Sequence, residues 1–348
     1  MSAGGADAGG ASPAAAQGGP VTAIVHAGGP HVLPLLDRVE AVLRDAAAGH
    51  GPVLAQHAGA TIAAGGKRLR PLLVILAAGG EVAATGADGE GLVRAAAAVE
   101  LVHSATLVHD DVLDLAPLRR GRPTVFASAG RAAATQTGDL LFSRAFALLA
   151  ANGDPAQVRA LSDAGSALAR GELLQRADAF DAAITVHRYL RRCELKTARL
   201  FEAACILGAL EGADDGGGAQ RAEALREFGR RIGLAFQILD DVLDVAGPAE
   251  RTGKHRGTDL LDGTVTLPFI LARERDPELA ALDPRAISTP QDAEAVCDRI
   301  AATGALDEAR AAALEHVAAA KAVVPARLAD RERNALLLVA DGVVARYS

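Results

Sequence analysis

The pentapeptide Asp-Asp-Val-Leu-Asp occurs twice in this chain of 348 residues, at 110–114 and at 240–244, each time inside an apolar run with helical periodicity. On a helix, positions i and i+4 lie about 40° apart, so the first and last aspartates of each copy share one face. Like charges on one face repel, at a cost of roughly a few tenths of a kcal/mol, unless a cation lies against them. The repeat therefore predicts two helices whose acidic faces meet a cation across a shared cleft.

The rest of the sequence predicts helices almost throughout. Trp is absent, aromatic residues make up only 3% of the chain and β-branched residues are sparse, which together favour helices over strands. Helical apolar periodicity runs over residues 35–48, 54–64, 70–78, 91–113, 132–150, 157–177, 185–210 and 221–245, with two or three further helices between 292 and 346. Loops with Gly, Pro, Asn and Asp separate these segments.

Composition along the chain indicates its domain organisation. Residues 1–30 are rich in Gly and Ala, with scattered Pro and no sustained apolar period, so they are predicted to form a disordered leader. From residue 31 to residue 348 no shift in composition marks a linker. We expect one all-α domain of roughly ten helices over that range.

Charge and cysteine content exclude several classes of protein. A formal net charge of −7 disfavours a general nucleic-acid-binding surface. Cys193, Cys205 and Cys297 are too few and too scattered for a disulfide framework or a thiolate zinc site, which fits a reducing cytoplasm. The chain begins without a basic segment followed by an apolar core, and it has no apolar run of about 18 residues, so neither secretion nor a membrane span is predicted.

The two acidic copies provide only oxygen ligands, which suit hard divalent ions, above all Mg²⁺. Substrate phosphates commonly complete the coordination shell of Mg²⁺. Two basic clusters strengthen this interpretation. Residues 65–71 read Gly-Gly-Lys-Arg-Leu-Arg-Pro, and residues 119–123 read Arg-Arg-Gly-Arg-Pro, only five residues after the first acidic copy. Gly allows close backbone approach, while Lys and Arg bind phosphate oxygens. One cluster alone could equally be a solvated basic turn; together with the carboxylates they indicate a magnesium-dependent diphosphate site.

In this order the residues resemble the trans-isoprenyl diphosphate synthase family, the polyprenyl synthetases, in its medium- to long-chain branch. The matching motifs are Gly65 to Pro71, His109 to Asp114 with Arg119 to Gly121, Lys196-Thr197, Phe236 to Asp244, and Thr266 to Pro268. The resemblance covers the chain from about residue 35. It implies a helical bundle of the isoprenoid-synthase type around a central cavity.

The resemblance also implies an activity. A member of this family condenses isopentenyl diphosphate with an allylic diphosphate, head to tail and with a trans double bond, to give a polyprenyl diphosphate. Three Mg²⁺ ions per active site would stabilise the departing diphosphate together with basic side chains, which is electrostatic catalysis without a protein nucleophile. A cytoplasmic homodimer is implied as well, with at most a peripheral membrane contact for product release.

Each matching position carries a role by this resemblance. Direct Mg²⁺ ligands would be Asp110, Asp114 and Asp240, while Asp111, Asp241 and Asp244 would orient ligands or act through water. The allylic diphosphate would be held by Arg119, Lys196 and Lys254. Isopentenyl diphosphate would be held by Gly66, Lys67, Arg70, His103 and Arg120. Thr197 and Gln237 would face the developing allylic cation with their oxygens.

One position departs from the family pattern, and two others bear on the length of the product. Many members have a lysine where this chain has Thr264, so one auxiliary diphosphate contact is missing. Ala105 lies five residues before Asp110, about 7.5 Å along a helix axis. By the resemblance, a small residue there, with Thr106 beside it, leaves open a tunnel for the growing chain. The expected products are C30 to C50 polyprenyl diphosphates.

Four alternatives accompany this interpretation. A short-chain synthase would make C15 or C20 products. A non-catalytic subunit of a heteromeric synthase tends to lose aspartates, whereas this chain keeps all six. A terpene cyclase would share the first acidic motif but not the basic residues for isopentenyl diphosphate. Glu100 and His103 have the Glu-x-x-His spacing of di-iron bundles, but a second such motif is missing.

Overall fold

Long helices build most of the chain in the computed structural model, which describes residues 20–80, 89–212, 218–247, 256–326 and 328–345. The helices before residue 213 are α1 (Pro20–Gly28), α2 (Val32–Ala47), α3 (Pro52–Ala63), α4 (Leu69–Ala78), α5 (Gly89–Leu113), α6 (Val125–Ala150), α7 (Pro155–Ala177), α8 (Val186–Cys193) and α9 (Arg199–Glu211). The later helices are α10 (Gly218–Ala246), α11 (Thr258–Leu261), α12 (Leu267–Arg273), α13 (Pro277–Ala281), α14 (Pro290–Ala302), α15 (Ala305–Val323) and α16 (Asp330–Ala345).

The described ranges contain only two strands, β1 (Leu118–Arg119) and β2 (Arg122–Pro123). Each has two residues, and the two form an antiparallel hairpin. The prediction of an all-α fold is therefore confirmed. Most predicted helices agree with the structure to within a few residues at their ends, because Pro and side-chain caps mark the boundaries. Asp154, for example, accepts a hydrogen bond from the backbone of Ala156 and is followed by Pro155 at the first helical position of α7.

The centre of the bundle is α5, which packs against α2, α4, α6 and α9. Its most apolar window of 18 residues has a mean hydropathy of 1.3, so among the described residues it is the one helix that could cross a membrane by length and composition. However, 72% of that window is buried inside the protein, as expected of a core helix. Around it, α9 packs against α4, α7 and α10, and α10 packs against α15. The two acidic copies therefore lie on helices that are fixed by the core.

The N-terminal boundary of the folded region was predicted too late. Helix α1 begins at Pro20, inside the stretch of residues 1–30 that was predicted to be a disordered leader, and it packs against α16. Ile24 and Val25 are only 3% and 4% exposed. Small apolar residues in a Gly/Ala-rich stretch gave too little periodicity to reveal a helix that is stabilised by contacts with the far end of the chain. Residues 1–19 lie outside the described part.

Two long predicted helices are interrupted in ways that the sequence pattern did not show. Helix α6 starts seven residues earlier than predicted and is broken at Gly130, where φ is 84° and ψ is 174°. The segment predicted as one helix over residues 185–210 contains a π-helical turn at Glu194–Ala198 between α8 and α9. Such turns insert an extra residue and frequently lie at functional sites. This one carries the Lys-Thr pair.

Candidate active site

Both acidic copies line one cleft of about 460 Å³ between α5, α7, α10 and the π-helical turn. Asp110 and Asp114 lie on its α5 wall, and Asp240 and Asp241 lie on its α10 wall. The two copies face a common space because α5 and α10 both pack on α9 at the centre of the bundle. Asp111 and Asp244 are not among the residues that line the cleft; each contacts another part of the protein.

Asp110 is a carboxyl that a cation would stabilise. Its burial raises the pKa to about 6, Glu172 and Asp114 add to the rise, and Lys196 and Arg119 oppose it. The cations already present therefore do not offset the cost of charging this group fully. A divalent ion at Asp110 would lower that cost, which agrees with the prediction that Asp110 is a metal ligand.

Asp111 binds a basic residue at the edge of the cleft. Arg119 donates from Nε to Asp111 Oδ1 at 2.7 Å, and Asp111 is only 4% exposed. Arg119 belongs to β1 and lines the cleft. A buried carboxylate thus holds the guanidinium at the cleft edge, which matches an orienting role for Asp111.

Helix α7 contributes polar residues that sequence reasoning missed. Arg176 donates to Asp114 at 2.7 Å and to Glu172 at 2.9 Å, and Lys196 donates to Glu172 at 2.5 Å. Burial tends to raise the pKa of Glu172, but Lys196 and Arg176 outweigh it and lower that pKa. Gln175 lines the cleft beside them. Polar residues at positions i, i+3 and i+4 of a helix share one face, and this spacing was the signal available in the sequence.

Two glycines allow the π-helical turn to approach its neighbours closely. A Cβ at Gly171 on α7 would lie 2.7 Å from the backbone nitrogen of Lys196, and a Cβ at Gly233 on α10 would lie 2.5 Å from the Cα of Ala198. Both Lys196 and Thr197 line the cleft, although consecutive residues of a regular helix point about 100° apart. The π-helical turn and its two glycine contacts place this pair.

A chain of hydrogen bonds orients the second acidic copy. Thr197 donates to Gln237 Oε1 at 2.6 Å, and Gln237 donates from its amide nitrogen to Asp241 Oδ1 at 2.7 Å. Tyr189, which is fully buried, donates to Asp241 Oδ2 at 2.7 Å. Burial raises the pKa of Asp241, while these two hydrogen bonds oppose the rise. Sequence reasoning missed Tyr189, which lies seven residues before Lys196 with no motif around it.

Asp240 and Asp244 occupy different environments. Asp240 is exposed in the cleft, directly after the buried Leu239. Asp244 accepts a hydrogen bond at Oδ2 from the backbone of Asp259 at 3.2 Å, and its carbonyl accepts one from Gly257. Asp244 thus fixes the segment that brings Asp259, Asp262 and Thr264 to the cleft. Lys254, predicted as a diphosphate contact, lies outside the described residues.

The residues predicted for isopentenyl diphosphate are only partly brought together. Arg70 and His103 line the main cleft, while His103 and Arg120 line an adjoining cleft of about 300 Å³. A Cβ at Gly66 would lie 3.2 Å from a guanidinium nitrogen of Arg120, so Gly66 permits that contact. Lys67 is exposed on its loop and lines neither cleft.

Burial lowers the pKa of His103 well below its usual value, and Arg70 and Arg120 lower it further, which favours the neutral imidazole. Arg70 is held with its guanidinium 4.5 Å above the ring centre of Phe201. Arg68 is 8% exposed and pairs with Glu40 and with Glu100, the latter at 2.8 Å. Because Glu100 is paired in this way, it is not directed at a metal with His103, which argues against the di-iron alternative.

The predicted chain-length positions, Ala105 and Thr106, lie on α5, the same helix as His103. Thr106 lines the cleft and donates its hydroxyl to the carbonyl of His103 at 2.8 Å. Ala105 is fully buried in the core. Leu168 and Leu200 also line the cleft and contribute apolar surface to it.

A metal site formed by protein alone is not present in the described part of the chain, where no three His, Cys, Asp or Glu side chains converge. The donor set nevertheless fits Mg²⁺, which is usually held by one or two carboxylates together with waters and substrate phosphates. Asp110 and Asp114 on one wall and Asp240 on the other provide such carboxylates at one cleft. A diphosphate between the walls would supply the remaining oxygens.

Comparison with known proteins assigns the family. A sequence model of the polyprenyl synthetase family matches residues 52–302. The chain is 38% identical to a geranylgeranyl diphosphate synthase of Methanosarcina mazei, over 81% of this chain and 86% of that protein, and 37% identical to the octaprenyl diphosphate synthase of Escherichia coli, over 82% and 87%. A crystal structure of a polyprenyl synthase from Caulobacter crescentus, complexed with calcium and isoprenyl diphosphate, is 36% identical, with a TM-score of 0.85 over 95% of this chain and 99% of that one. The chain therefore belongs to the polyprenyl synthetase family, and the prediction that it is a prenyltransferase is confirmed.

Proposed function

We propose that this chain is a Mg²⁺-dependent prenyltransferase that condenses isopentenyl diphosphate with an allylic diphosphate, head to tail and in the trans configuration, to give a polyprenyl diphosphate. The observation that carries the proposal is that the two acidic copies, Arg119 and Lys196 all line one cleft. The Caulobacter crescentus structure, which holds a divalent cation and an isoprenyl diphosphate, supports the same assignment.

The allylic diphosphate would bind between α5 and α10. Asp110, Asp114 and Asp240 would hold Mg²⁺, which, when bound, neutralises the diphosphate and stabilises it as a leaving group. Arg119, fixed by Asp111, donates to the diphosphate from the cleft edge. Lys196 is paired with Glu172, and a phosphate oxygen would accept the same kind of charge-assisted hydrogen bond from its ammonium group. Ionisation of the carbon–oxygen bond then needs no protein nucleophile.

Isopentenyl diphosphate would bind beside it. Arg70 and Arg120 provide cations, and His103, which lines both clefts, would donate a hydrogen bond. Thr197 and Gln237, hydrogen-bonded to each other, present oxygen atoms to the positively charged allylic carbon. The alkene attacks that carbon, and the proton lost afterwards goes to the departed diphosphate. These roles, with those of Lys67 and Lys254, are proposals from the resemblance and the geometry.

Product length follows from the space beyond Thr106. We propose C30 to C50 products, because Ala105 and Thr106 are small and the apolar side chains of Leu168 and Leu200 also line the cleft. The names of the relatives run from geranylgeranyl to octaprenyl and do not decide between a short and a long product. A short-chain synthase is therefore the second candidate. A cytoplasmic homodimer remains a prediction.

To test this proposal, the purified protein, without any second subunit, is incubated with radiolabelled isopentenyl diphosphate, an allylic primer and MgCl₂. The products are then separated by chromatography. We expect polyprenyl diphosphates with Mg²⁺ and none with EDTA. Asp110→Ala should abolish turnover, whereas Asp37→Ala, an exposed carboxylate on α2, should leave it unchanged. No condensation by the single protein, with condensation after a second subunit is added, would overturn the proposal in favour of a non-catalytic subunit.

A further inference from the structure

Thr264 places a neutral side chain on one wall of the cleft. Its side chain lines the cleft next to Asp259 and Asp262, and its backbone nitrogen donates to the carbonyl of Asp259 at 2.7 Å. This wall therefore carries two carboxylates and, within the described residues 256–264, only Arg256 as a cation, which is engaged with Asp298 away from the cleft. Among the described residues, a cation for a diphosphate at this wall has to come from another element.

Arg176 on α7 is a cation at the cleft that no motif predicted. Its side chain is 44% exposed and lines the same cleft as Thr264 and Lys196. Nη2 donates to Asp114 at 2.7 Å, and Nε donates to Glu172 at 2.9 Å. Glu172 thus tethers one edge of the guanidinium, while the other edge contacts a carboxylate of the first acidic copy.

We propose that Arg176 is a diphosphate-binding residue, which supplies from α7 the positive charge that Thr264 does not provide; this inference rests on the proposed function. A cation at Asp114 would compete with Nη2 for that carboxylate, and the freed Nη2 would then face the cleft while Glu172 still holds Nε. Guanidinium groups with two accessible N–H donors bind phosphate oxygens in a bidentate manner.

A purely structural role accounts poorly for the same contacts. The side chain of Asp114 is 40% exposed, and ion pairs between solvent-exposed groups contribute little to stability. Arg176 is held at Nε by Glu172, while the rest of its guanidinium is accessible from the cleft and could bind a ligand there. The helix also offers a matched residue, because Arg170 is exposed on α7 but lines a different groove.

The test compares Arg176→Leu with Arg170→Leu and with the double variant Arg176→Leu/Thr264→Lys. Binding of inorganic diphosphate in the presence of Mg²⁺ is measured by calorimetry, and KM values for both substrates are measured separately. For Arg176→Leu we expect roughly a tenfold loss of diphosphate affinity and a similar rise in the KM of the allylic substrate, with the KM of isopentenyl diphosphate unchanged. Arg170→Leu should match the wild type.

The double variant should recover most of the lost affinity, because the lysine introduced by Thr264→Lys would place a cation at the same cleft from the opposite segment. Unchanged diphosphate affinity in Arg176→Leu would refute the inference, and so would a loss that Thr264→Lys does not restore. Binding of inorganic diphosphate is read without turnover. An inactive wild type would therefore refute the proposed function while the calorimetry still decides on Arg176.

Discussion

Gly171→Ala tests whether close packing of α7 on the π-helical turn places Lys196. The added Cβ would lie 2.7 Å and 2.9 Å from the backbone nitrogen and Cα of Lys196, and 3.0 Å from the carbonyl carbon of Leu195. All three are backbone atoms, so no flexible side chain can move aside. Overpacking of this kind costs roughly 1–3 kcal/mol, whereas Gly to Ala in a helix gains about 1 kcal/mol in propensity. The net expectation is a loss of about 0–2 kcal/mol of unfolding free energy.

Gly165→Ala is the matched control, six residues earlier on the same helix. A Cβ there meets nothing within 4 Å, so this variant should gain up to about 1 kcal/mol from helix propensity alone. Gly59 on α3 is equally open and serves as a second control. Urea unfolding followed by circular dichroism measures the difference, which should place Gly171→Ala about 1–3 kcal/mol below Gly165→Ala.

Activity provides the second measurement for this pair of variants. Displacing Lys196 by several tenths of an ångström moves its ammonium group relative to the diphosphate, so Gly171→Ala should raise the KM of the allylic substrate and lower kcat. Gly165→Ala should keep both constants. Equal stability of the two variants, with unchanged kinetics in both, would refute the view that this glycine contact positions the π-helical turn.

Three further changes test other parts of the structure. Tyr189→Phe leaves a buried oxygen of Asp241 without its donor, so we expect a loss of roughly 1–3 kcal/mol in urea unfolding, which should largely vanish in an Asp241→Ala background. Ala105→Tyr should shorten the products seen by chromatography, and an unchanged chain length would contradict the tunnel assignment. Hydrogen bonds from Arg230 and, less strongly, from Arg231 lower the pKa of Glu227 from 4.5 to about 2. The ionised Glu227 therefore stabilises the folded state above pH 4.5, and this stabilisation is lost as the pH falls towards 2. Because these side chains are about a third exposed, the gain in stability is smaller than the full pKa shift would give. In Glu227→Gln, the free energy of unfolding should fall less steeply as the pH is lowered from 4.5 to 2. A fall identical to that of the wild type would show that the pKa of Glu227 is not lowered by the two arginines.

The sequence predicted the helices well where apolar periodicity and breakers coincided. The boundaries of α7 agree with their prediction to within two residues, because Asp154 and Pro155 start the helix and Asp178 follows its end. Helix α1 was missed because its stability comes from α16, at the other end of the chain. Periodicity reports one helix face at a time and carries no information about such a distant partner.

In the candidate site, too, some residues could be predicted from the sequence and others could not. Residues on the two acidic copies were found from charge repulsion within an apolar run, which a single sequence shows. Glu172, Arg176 and Tyr189 were missed because their importance lies in what they contact: Lys196, Asp114 and Asp241, each on another element of the fold. The π-helical turn depends on glycines of α7 and α10 that approach it from both sides. These contacts exist only after the helices have packed.

Three cations that line the cleft are paired with carboxylates. Arg119 pairs with Asp111, Arg176 with Asp114, and Lys196 with Glu172. Pairing keeps these charges from being left alone at the cleft, where an unpaired charge would cost more free energy than a paired one. Binding of a cation and a diphosphate together would then exchange partners within the cleft, so that each new contact replaces an existing one of similar strength. Affinity should therefore depend on binding both together, and either one alone should bind weakly. Calorimetry with Mg²⁺ alone, diphosphate alone and the two combined measures this directly, and tight binding of diphosphate without a divalent ion would contradict it.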